Sequence, residues 1–261
     1  MSASRALGWP ISIAELSGST AASDAGTLRR ILKAGRQQLK EQHTSGASPQ
    51  TVISRHSWMI DQLITTAARS TFGAKTRDHF AIIAVGGYGR AELHPQSDID
   101  LLILFDDRPT TAAQDATGEF VRLLWDIGLE IGHSARTVTQ CREHAMKDLT
   151  IITSLMEARL LLGNPHLLHS LNNAIQPAQM WPAIEFLTAK RAEQSNRYYR
   201  YGDTAYNLEP HLKEGPGGLR DLHMIGWISQ RALGALTILS LIHISEPTRR
   251  TPISYAVFCL K

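Results

Sequence analysis

Cysteine is scarce in this sequence, and long apolar runs are missing from it. The 261 residues include two cysteines, Cys141 and Cys259, which are too few for a disulfide framework and lack the spacing of a zinc site. No stretch approaches the roughly 20 consecutive apolar residues that a membrane-spanning helix needs. Residues 1–16 lack a basic segment followed by an apolar core, so we predict no signal peptide. These absences predict a cytoplasmic protein that has no membrane partner.

The sequence also has little excess charge of either sign. Its formal net charge is +3, with 43% hydrophobic and 20% charged residues, which is ordinary for a globular protein. A charge this small does not support nucleic-acid binding. Basic residues do alternate with aromatic ones near residues 198–201, a pattern that can bind nucleic acid. Because the net charge of the sequence is small, we expect no nucleic-acid partner. The length allows one large domain or two small ones.

What the sequence does contain is a strand–glycine–strand pattern over residues 80–105. An apolar run over residues 80–85 predicts a buried strand, and the diglycine Gly86-Gly87 ends it. A helix is predicted to start over residues 88–93, and a second strand over residues 97–105. The glycines allow the backbone to approach a phosphate closely, and the N–H groups at a helix start favour an anion.

Two carboxylates begin the second predicted strand. Asp98 and Asp100 are two residues apart, so their side chains point to one face of the strand at a separation of roughly 6–7 Å. Two acids so placed repel each other unless a cation lies between them. Magnesium prefers oxygen ligands, usually one or two carboxylates together with substrate phosphates. An isolated Asp-x-Asp pair is common at solvated strand ends, but here it follows a diglycine turn, and the order predicts a magnesium–nucleotide site.

Two other phosphate-binding motifs do not fit. A dinucleotide fingerprint that starts at Gly87 has Gly89 in its second position but Glu92 in its third. No Gly-Lys-Ser/Thr sequence is present, which excludes a P-loop.

The blocks around these residues resemble a known family. The segments that carry the resemblance are residues 86–93, 95–102, 124–129, 132–136, 148–151, 157–159 and 207–222. The first two resemble the nucleotidyltransferase superfamily, which includes DNA polymerase β. All of them together, in this order, resemble the bacterial PII uridylyltransferase/uridylyl-removing enzymes.

The resemblance implies a fold and a reaction. The implied fold class is α/β (α+β), a polymerase-β-like nucleotidyltransferase fold with a mixed sheet, flanked by helices and followed by a helical domain. The implied reaction moves UMP from UTP to a tyrosine of the PII signalling protein, with Mg²⁺ as cofactor and release of pyrophosphate. Members of the family continue into an HD-type hydrolase domain and two ACT domains, neither of which is present in these 261 residues.

The resemblance also implies site residues. Catalysis and metal binding are expected of Asp98 and Asp100, and a third carboxylate is expected on a later strand, with Glu130 as the first choice and Glu157 as the second. The expected nucleotide-binding residues are Gly86, Gly87, Arg90, Ser97, Lys213 and Arg220. His133 and Arg136 either contact phosphate or, for His133, have a buried structural role.

Two alternatives to this function stay open. An adenylyltransferase acting on glutamine synthetase shares the glycine and Ser-Asp-x-Asp pattern. A nucleotide-binding regulatory module without catalysis would also fit if the third carboxylate is absent.

Four regions are predicted along the chain. Residues 1–70 form a helical region, 71–147 the nucleotidyltransferase domain, 148–239 a helical domain, and 240–261 a tail that resembles translated sequencing adapter and has no assigned function. Apolar spacing in the first region predicts two helices, over residues 27–42 and 50–70.

Further elements are expected downstream. A third strand is predicted over residues 129–138, and residues 148–227 have a helical pattern throughout. The first predicted helix carries a basic face, which is typical of a solvated helix and, less often, of one that meets phosphates or an acidic partner.

Overall fold

A computed structural model describes residues 24–73, 79–106, 109–202, 209 and 211–234. The chain divides into two compact units, Met1–Ile175 and Gln176–Lys261. The helices of the first unit are α1 (Ala25–Thr44), α2 (Pro49–Phe72), α3 (Gly86–Gly89), α4 (Thr111–Ile127), α5 (Val138–Lys147), α6 (Leu149–Met156) and α7 (Pro165–Ala174). Its strands are β1 (Phe80–Ala84), β2 (Ile99–Phe105), β3 (Ile131–Thr137) and β4 (Arg159–Gly163). The second unit contains α8 (Ala183–Arg200) and α9 (Leu219–Leu233).

The two predicted N-terminal helices are present and slightly longer than expected. The carboxylate of Asp24 accepts a hydrogen bond from the backbone N–H of Thr27 and so caps α1. Ser48 caps α2 in the same way, and Pro49 occupies the first turn, where its missing N–H costs nothing. The apolar faces of both helices are buried in the core of the unit.

A four-stranded mixed sheet forms the centre of the first unit, in the order β3-β2-β1-β4. The strands β2 and β3 are parallel, whereas β1 is antiparallel to both β2 and β4. One face of β2 packs into the core through Ile99, Leu101 and Ile103. Because side chains alternate along a strand, Asp100 lies on the opposite face and is exposed. The mixed α/β fold is as predicted.

The prediction that a helix starts over residues 88–93 is wrong in its position. The helical turn is Gly86–Gly89, and the chain leaves the helix where Ala91 has a φ of 58°. Contacts from α2 explain this ending. The hydroxyl of Ser57 donates to the carbonyl of Ala91 and accepts from the N–H of Leu93. These backbone groups therefore have partners outside a helix.

The expectation that residues 148–227 are helical throughout is also wrong. The segment β4 is a strand that pairs with the edge of β1, from Ala81↔Gly163 to Ala84↔Arg159. Its sequence is Arg-Leu-Leu-Leu-Gly, in which leucine favours a helix. Pairing with β1 overrides this local preference, because the otherwise open edge of β1 would leave backbone groups without partners.

The second unit is a helical pair with a buried cation between its helices. Lys190 of α8 is 3% exposed, pairs with Glu193, and lies 4.5 Å from the ring centre of Trp227 on α9. Burial lowers the pKa of Lys190, although the bond to Glu193 opposes the shift. Cation–aromatic contact of this kind stabilises a charge that is buried away from solvent.

Of the helices within the described ranges, none combines the length and hydropathy that a membrane crossing requires.

Several predictions fall on segments outside the described residues. These include the unassigned tail over 240–261, the first 23 residues with the predicted absence of a signal peptide, and residues 207, 208 and 210 of the last family block.

Candidate active site

The glycine turn lies directly beside the exposed aspartate of β2. Gly86 has a φ of 58°, a conformation that favours glycine. A Cβ added to Gly86 would lie 3.4 Å from Oδ2 of Asp100 and 3.6 Å from Oγ of Ser154. The backbone N–H of Val85, just before the turn, donates to the carbonyl of Asp100 at 3.1 Å. The fold thus brings the predicted phosphate turn and one predicted metal ligand together.

A second glycine clears space around the same carboxylate. Gly132 of β3 is paired with Asp100 in the parallel register, and a Cβ at Gly132 would lie only 2.6 Å from Oδ1 of Asp100. Any side chain at this position would displace the carboxylate. The two glycines therefore lie against the two oxygens of Asp100, where larger side chains would not fit, and an exposed carboxylate is the kind of ligand that magnesium prefers.

Asp98 and Ser97 come immediately before β2. Both are exposed, and Asp98 precedes Asp100 by two residues, just outside the strand. Within the described residues, no group of three or more His, Cys, Asp or Glu side chains is arranged to hold a metal ion. The role of Asp98 and Asp100 as metal ligands stays a prediction.

The two choices for a third carboxylate lie in different places. Glu130 is exposed, precedes β3, and lines a cavity bounded by α1, α2 and the loop before β2. Glu157 is 8% exposed at its side chain and is ion-paired with Arg90. The position opposite Asp100 in the register belongs to Gly132. Neither glutamate thus occupies that position, and the identity of a third carboxylate stays a prediction.

Arg90 is anchored beside the glycine turn. Its guanidinium donates to both Glu92 and Glu157, and a Cβ at Gly87 would lie 3.7 Å from Nη2 of Arg90. Partial burial disfavours the charge, but the bond to Glu92 and the charge of Glu157 outweigh it and raise the pKa of Arg90. The cation is therefore permanent, and its two acidic partners fix where it lies.

A carboxylate from α2 holds the glycine turn in place, and it was not predicted from the sequence. Asp61 accepts two hydrogen bonds from Arg159, at 2.8 and 3.1 Å, and one from the hydroxyl of Tyr88 at 2.6 Å. The same guanidinium donates to the carbonyls of Tyr88 and Gly89 at 3.1 Å. Arg159 thus ties α2, α3 and β4 together. No local signal identifies Asp61, because its partners are 27 and 98 residues away.

A depression of about 420 Å³ is lined by Asp100 and Gly132. Asp148, another carboxylate that the sequence did not single out, also lines it. One of its oxygens accepts from the N–H groups of Thr150 and Ile151 and so caps α6. The Asp-Leu-Thr start of a helix is the signal that identifies this cap.

The depression is also lined by His133 and Arg136. His133 is exposed, with its ring 6.2 Å from that of Trp125, so the buried structural role considered for it is wrong. A contact of either residue with phosphate stays a prediction.

The two remaining predicted residues belong to the second unit. Lys213 is exposed, and Arg220 pairs with Glu214 at 3.0 Å in the loop that leads into α9. Arg197 and Asp221 hold this loop: Arg197 donates to the carbonyl of Glu214, and Asp221 accepts from the N–H of Gly217. Their roles toward a nucleotide stay predictions.

Comparison with known proteins identifies two segments of the chain. Residues 72–160 match the nucleotidyltransferase domain family, and residues 185–249 match the family described as GlnD PII-uridylyltransferase. The first match contains the glycine turn, both aspartates of the pair, the strands β1, β2 and β3 and the start of β4. The depression around Asp100 therefore lies within the segment that matches the nucleotidyltransferase domain.

Curated relatives extend the similarity to most of the chain. A bifunctional uridylyltransferase/uridylyl-removing enzyme of Nitrosococcus oceani is 48% identical over 82% of the chain. Enzymes of the same name from Pseudomonas fluorescens and Azotobacter vinelandii are 43% and 42% identical over 84% and 82% of it. The chain spans about a quarter (24%) of the length of these relatives. The chain therefore contains a nucleotidyltransferase domain and, over more than four fifths of its length, is similar to a part of the bifunctional uridylyltransferase/uridylyl-removing enzymes.

Proposed function

We propose that this chain transfers UMP from UTP to a tyrosine of the PII signalling protein and releases pyrophosphate. The observation that supports the proposal best is the placement of Gly86 and Gly132 around the carboxylate of Asp100. A glycine turn and an exposed carboxylate at this distance suit a nucleotide whose phosphates share a metal ion with the protein. The choice of uridylyl transfer rests on the names of the relatives reported above. The low cysteine content suits a protein of the reducing cytoplasm.

Asp98 and Asp100 would hold Mg²⁺. When bound, the ion supplies neutralisation of phosphate charge and a lower pKa for the attacking hydroxyl. The residues of the chain hold the nucleotide in position. The N–H groups at the start of the helical turn, at Gly86 and Gly87, have no acceptor one turn earlier in the helix and would donate to the phosphates of a bound nucleotide.

Arg90 and Ser97 complete the proposed contacts to the nucleotide in the first unit. Arg90 keeps its charge beside Gly87 because Glu92 and Glu157 hold it, and a cation so placed stabilises negative charge that develops on the phosphates. Ser97 offers a hydroxyl next to Asp98. Lys213 and Arg220 of the second unit are proposed to bind the triphosphate as well.

The experiment compares the wild-type chain with Asp98→Asn and Asp100→Asn. Each is mixed with labelled UTP, magnesium and PII, and both labelled PII and pyrophosphate are measured. Loss of one metal ligand should reduce transfer by about a thousandfold. Asp106→Asn, at the other end of the same strand and bonded to His79, is the matched control and should transfer at the wild-type rate.

Binding and nucleotide choice are tested separately. Calorimetric titration with magnesium and UTP should show weaker binding to both aspartate variants than to the Asp106→Asn control. If the chain transfers AMP from ATP to glutamine synthetase in preference to UMP from UTP to PII, the proposed substrates are wrong. If Asp98→Asn transfers UMP at the wild-type rate in the presence of magnesium, the proposed metal site is wrong.

A further inference from the structure

A second cavity of about 420 Å³ lies in the first unit, apart from the depression around Asp100. Its walls come from α1, α2, the loop before β2 and the turn before β3. Leu39, Val52 and Ile99 give it an apolar lining. A cavity of this volume with apolar walls and a few polar groups has the character of a small-molecule site.

A buried histidine with an unused acceptor is among the residues that line this cavity. His56 is 2% exposed, and its Nδ1 lies 2.9 Å from the carbonyl of Leu93. Because a carbonyl accepts only, Nδ1 carries the proton and the neutral ring presents a lone pair at Nε2. Throughout the described part of the chain, Nε2 meets no hydrogen-bond partner. A buried polar atom without a partner is costly, so a ligand that donates to it gains affinity.

The neutral form of His56 follows from its surroundings. Burial lowers the pKa of His56; the bond to Leu93 opposes this, and the positive charge of Arg36 adds to it. His94 acts in the same direction as Arg36. At neutral pH the ring is therefore an acceptor toward the cavity rather than a second cation.

Basic side chains from α1 form part of the lining of the cavity. Arg36, Lys40 and His43 line it, and all three are exposed. They belong to the basic helix face that the proposed transfer reaction does not use. Glu130 and Ser97, on the other wall, can accept hydrogen bonds from hydroxyl groups.

We propose that this cavity binds a small phosphorylated molecule with an apolar body and a hydrogen-bond donor, the chemistry of a nucleoside monophosphate. The phosphate meets Arg36 and Lys40, the base lies against Leu39 and Val52, and a base N–H donates to Nε2 of His56. The ligand is a second one beside the transferred nucleotide, because Asp100 and Gly132 do not line this cavity; Ser97 is the residue that the two proposed sites have in common.

The first measurement is nitrogen NMR of the histidine rings, with UMP as the probe. In the ligand-free protein, Nε2 of His56 should have the shift of an acceptor without a hydrogen bond, and UMP should move it toward the hydrogen-bonded value. His56→Gln assigns the signal. The same response is expected in Asp100→Asn, which separates this cavity from the transfer site and lets either proposal fail without the other.

The second measurement is calorimetry on a pair of matched variants. Arg36→Gln/Lys40→Gln should bind UMP at least about tenfold more weakly. Arg30→Gln/Lys33→Gln removes the same two charges from the same helix outside the cavity and should bind within about twofold of wild type. Uridine, which lacks the phosphate, should bind both variants equally. Each affinity is measured on the Asp100→Asn background, so that binding at the transfer site does not contribute.

Three results would overturn the proposal. One is an Nε2 signal that is already hydrogen-bonded in the ligand-free protein. Another is an Nε2 shift that UMP leaves unchanged at saturating concentration. The third is equal affinity for UMP in the two charge variants.

Discussion

Two glycine-rich turns, one in each unit, are held in place by the same three residue types. In the turn Gly86–Gly89, Asp61 accepts from Arg159 and Tyr88. In the loop that ends at Gly218, Asp221 accepts from Arg197 and Tyr198. The partners of Asp61 are 27 and 98 residues away, and those of Asp221 are 24 and 23 residues away.

The difference shows what each turn depends on. The first turn is pressed against backbone from the far end of the unit: a Cβ at Gly89 would lie 1.9 Å from the carbonyl oxygen of Glu157. The second turn closes mostly on itself, through bonds such as Leu219 N–H to the carbonyl of Leu212. Glycine is therefore required in the first turn by tertiary packing and in the second by local conformation.

The largest effect is expected for Gly89→Ala. The methyl group meets rigid backbone rather than a flexible side chain, so we expect a loss of about 3 kcal/mol or more in the free energy of unfolding. Urea titration followed by circular dichroism measures it. Gly118→Ala, at an exposed position of α4 with nothing within 4 Å, is the control and should be stabilising by up to about 1 kcal/mol. Equal stability of the two variants would show that the turn is not packed as described.

A smaller effect with a pH signature is expected for Asp221→Asn. Burial raises the pKa of Asp221, but bonds from Tyr198, Arg197 and Gln194 outweigh it and lower the pKa. A carboxylate whose folded pKa is depressed contributes stability above its unfolded pKa, and this contribution is lost as the pH falls through the folded value.

At pH 7, Asp221→Asn should therefore cost about 2 kcal/mol in the free energy of unfolding, and the difference from wild type should shrink below about pH 4. Urea titrations over a pH series measure both. Glu185→Gln, an exposed carboxylate in the same unit, is the control and should change stability by less than about 0.5 kcal/mol. A difference that stays constant down to pH 2 would contradict a role for the carboxylate charge.

The smallest effect is expected for Gly217→Ala. Its φ of 76° is unfavourable for alanine, but no atom lies within 4 Å of the added Cβ, so the cost is about 1 kcal/mol. Thermal unfolding measures it, and Gly217→Asn should recover part of the loss because asparagine tolerates this conformation better. A cost as large as that of Gly89→Ala would mean that the second turn is also packed against distant backbone.

The candidate residues beside the glycine turn could be named from the sequence because their signals are local. The diglycine and the two aspartates lie within 15 residues, from Gly86 to Asp100, and the alternation along β2 assigns Asp100 and Ile99 to opposite faces. The strand β4 was missed because its leucines favour a helix in isolation. Asp61 was missed because a single acid on an amphipathic helix has no distinguishing pattern.

The sequence by itself determined which residues have the chemistry of the site: the glycines that let the backbone turn, the acids that suit a metal ion, and the periodicities that make helices and strands. Only the tertiary structure decided which distant residues meet them, such as Gly132 beside Asp100 and Arg159 on Asp61. The physical reason is that backbone conformation follows from neighbours along the chain, whereas strand pairing and buried ion pairs depend on groups that only folding brings together.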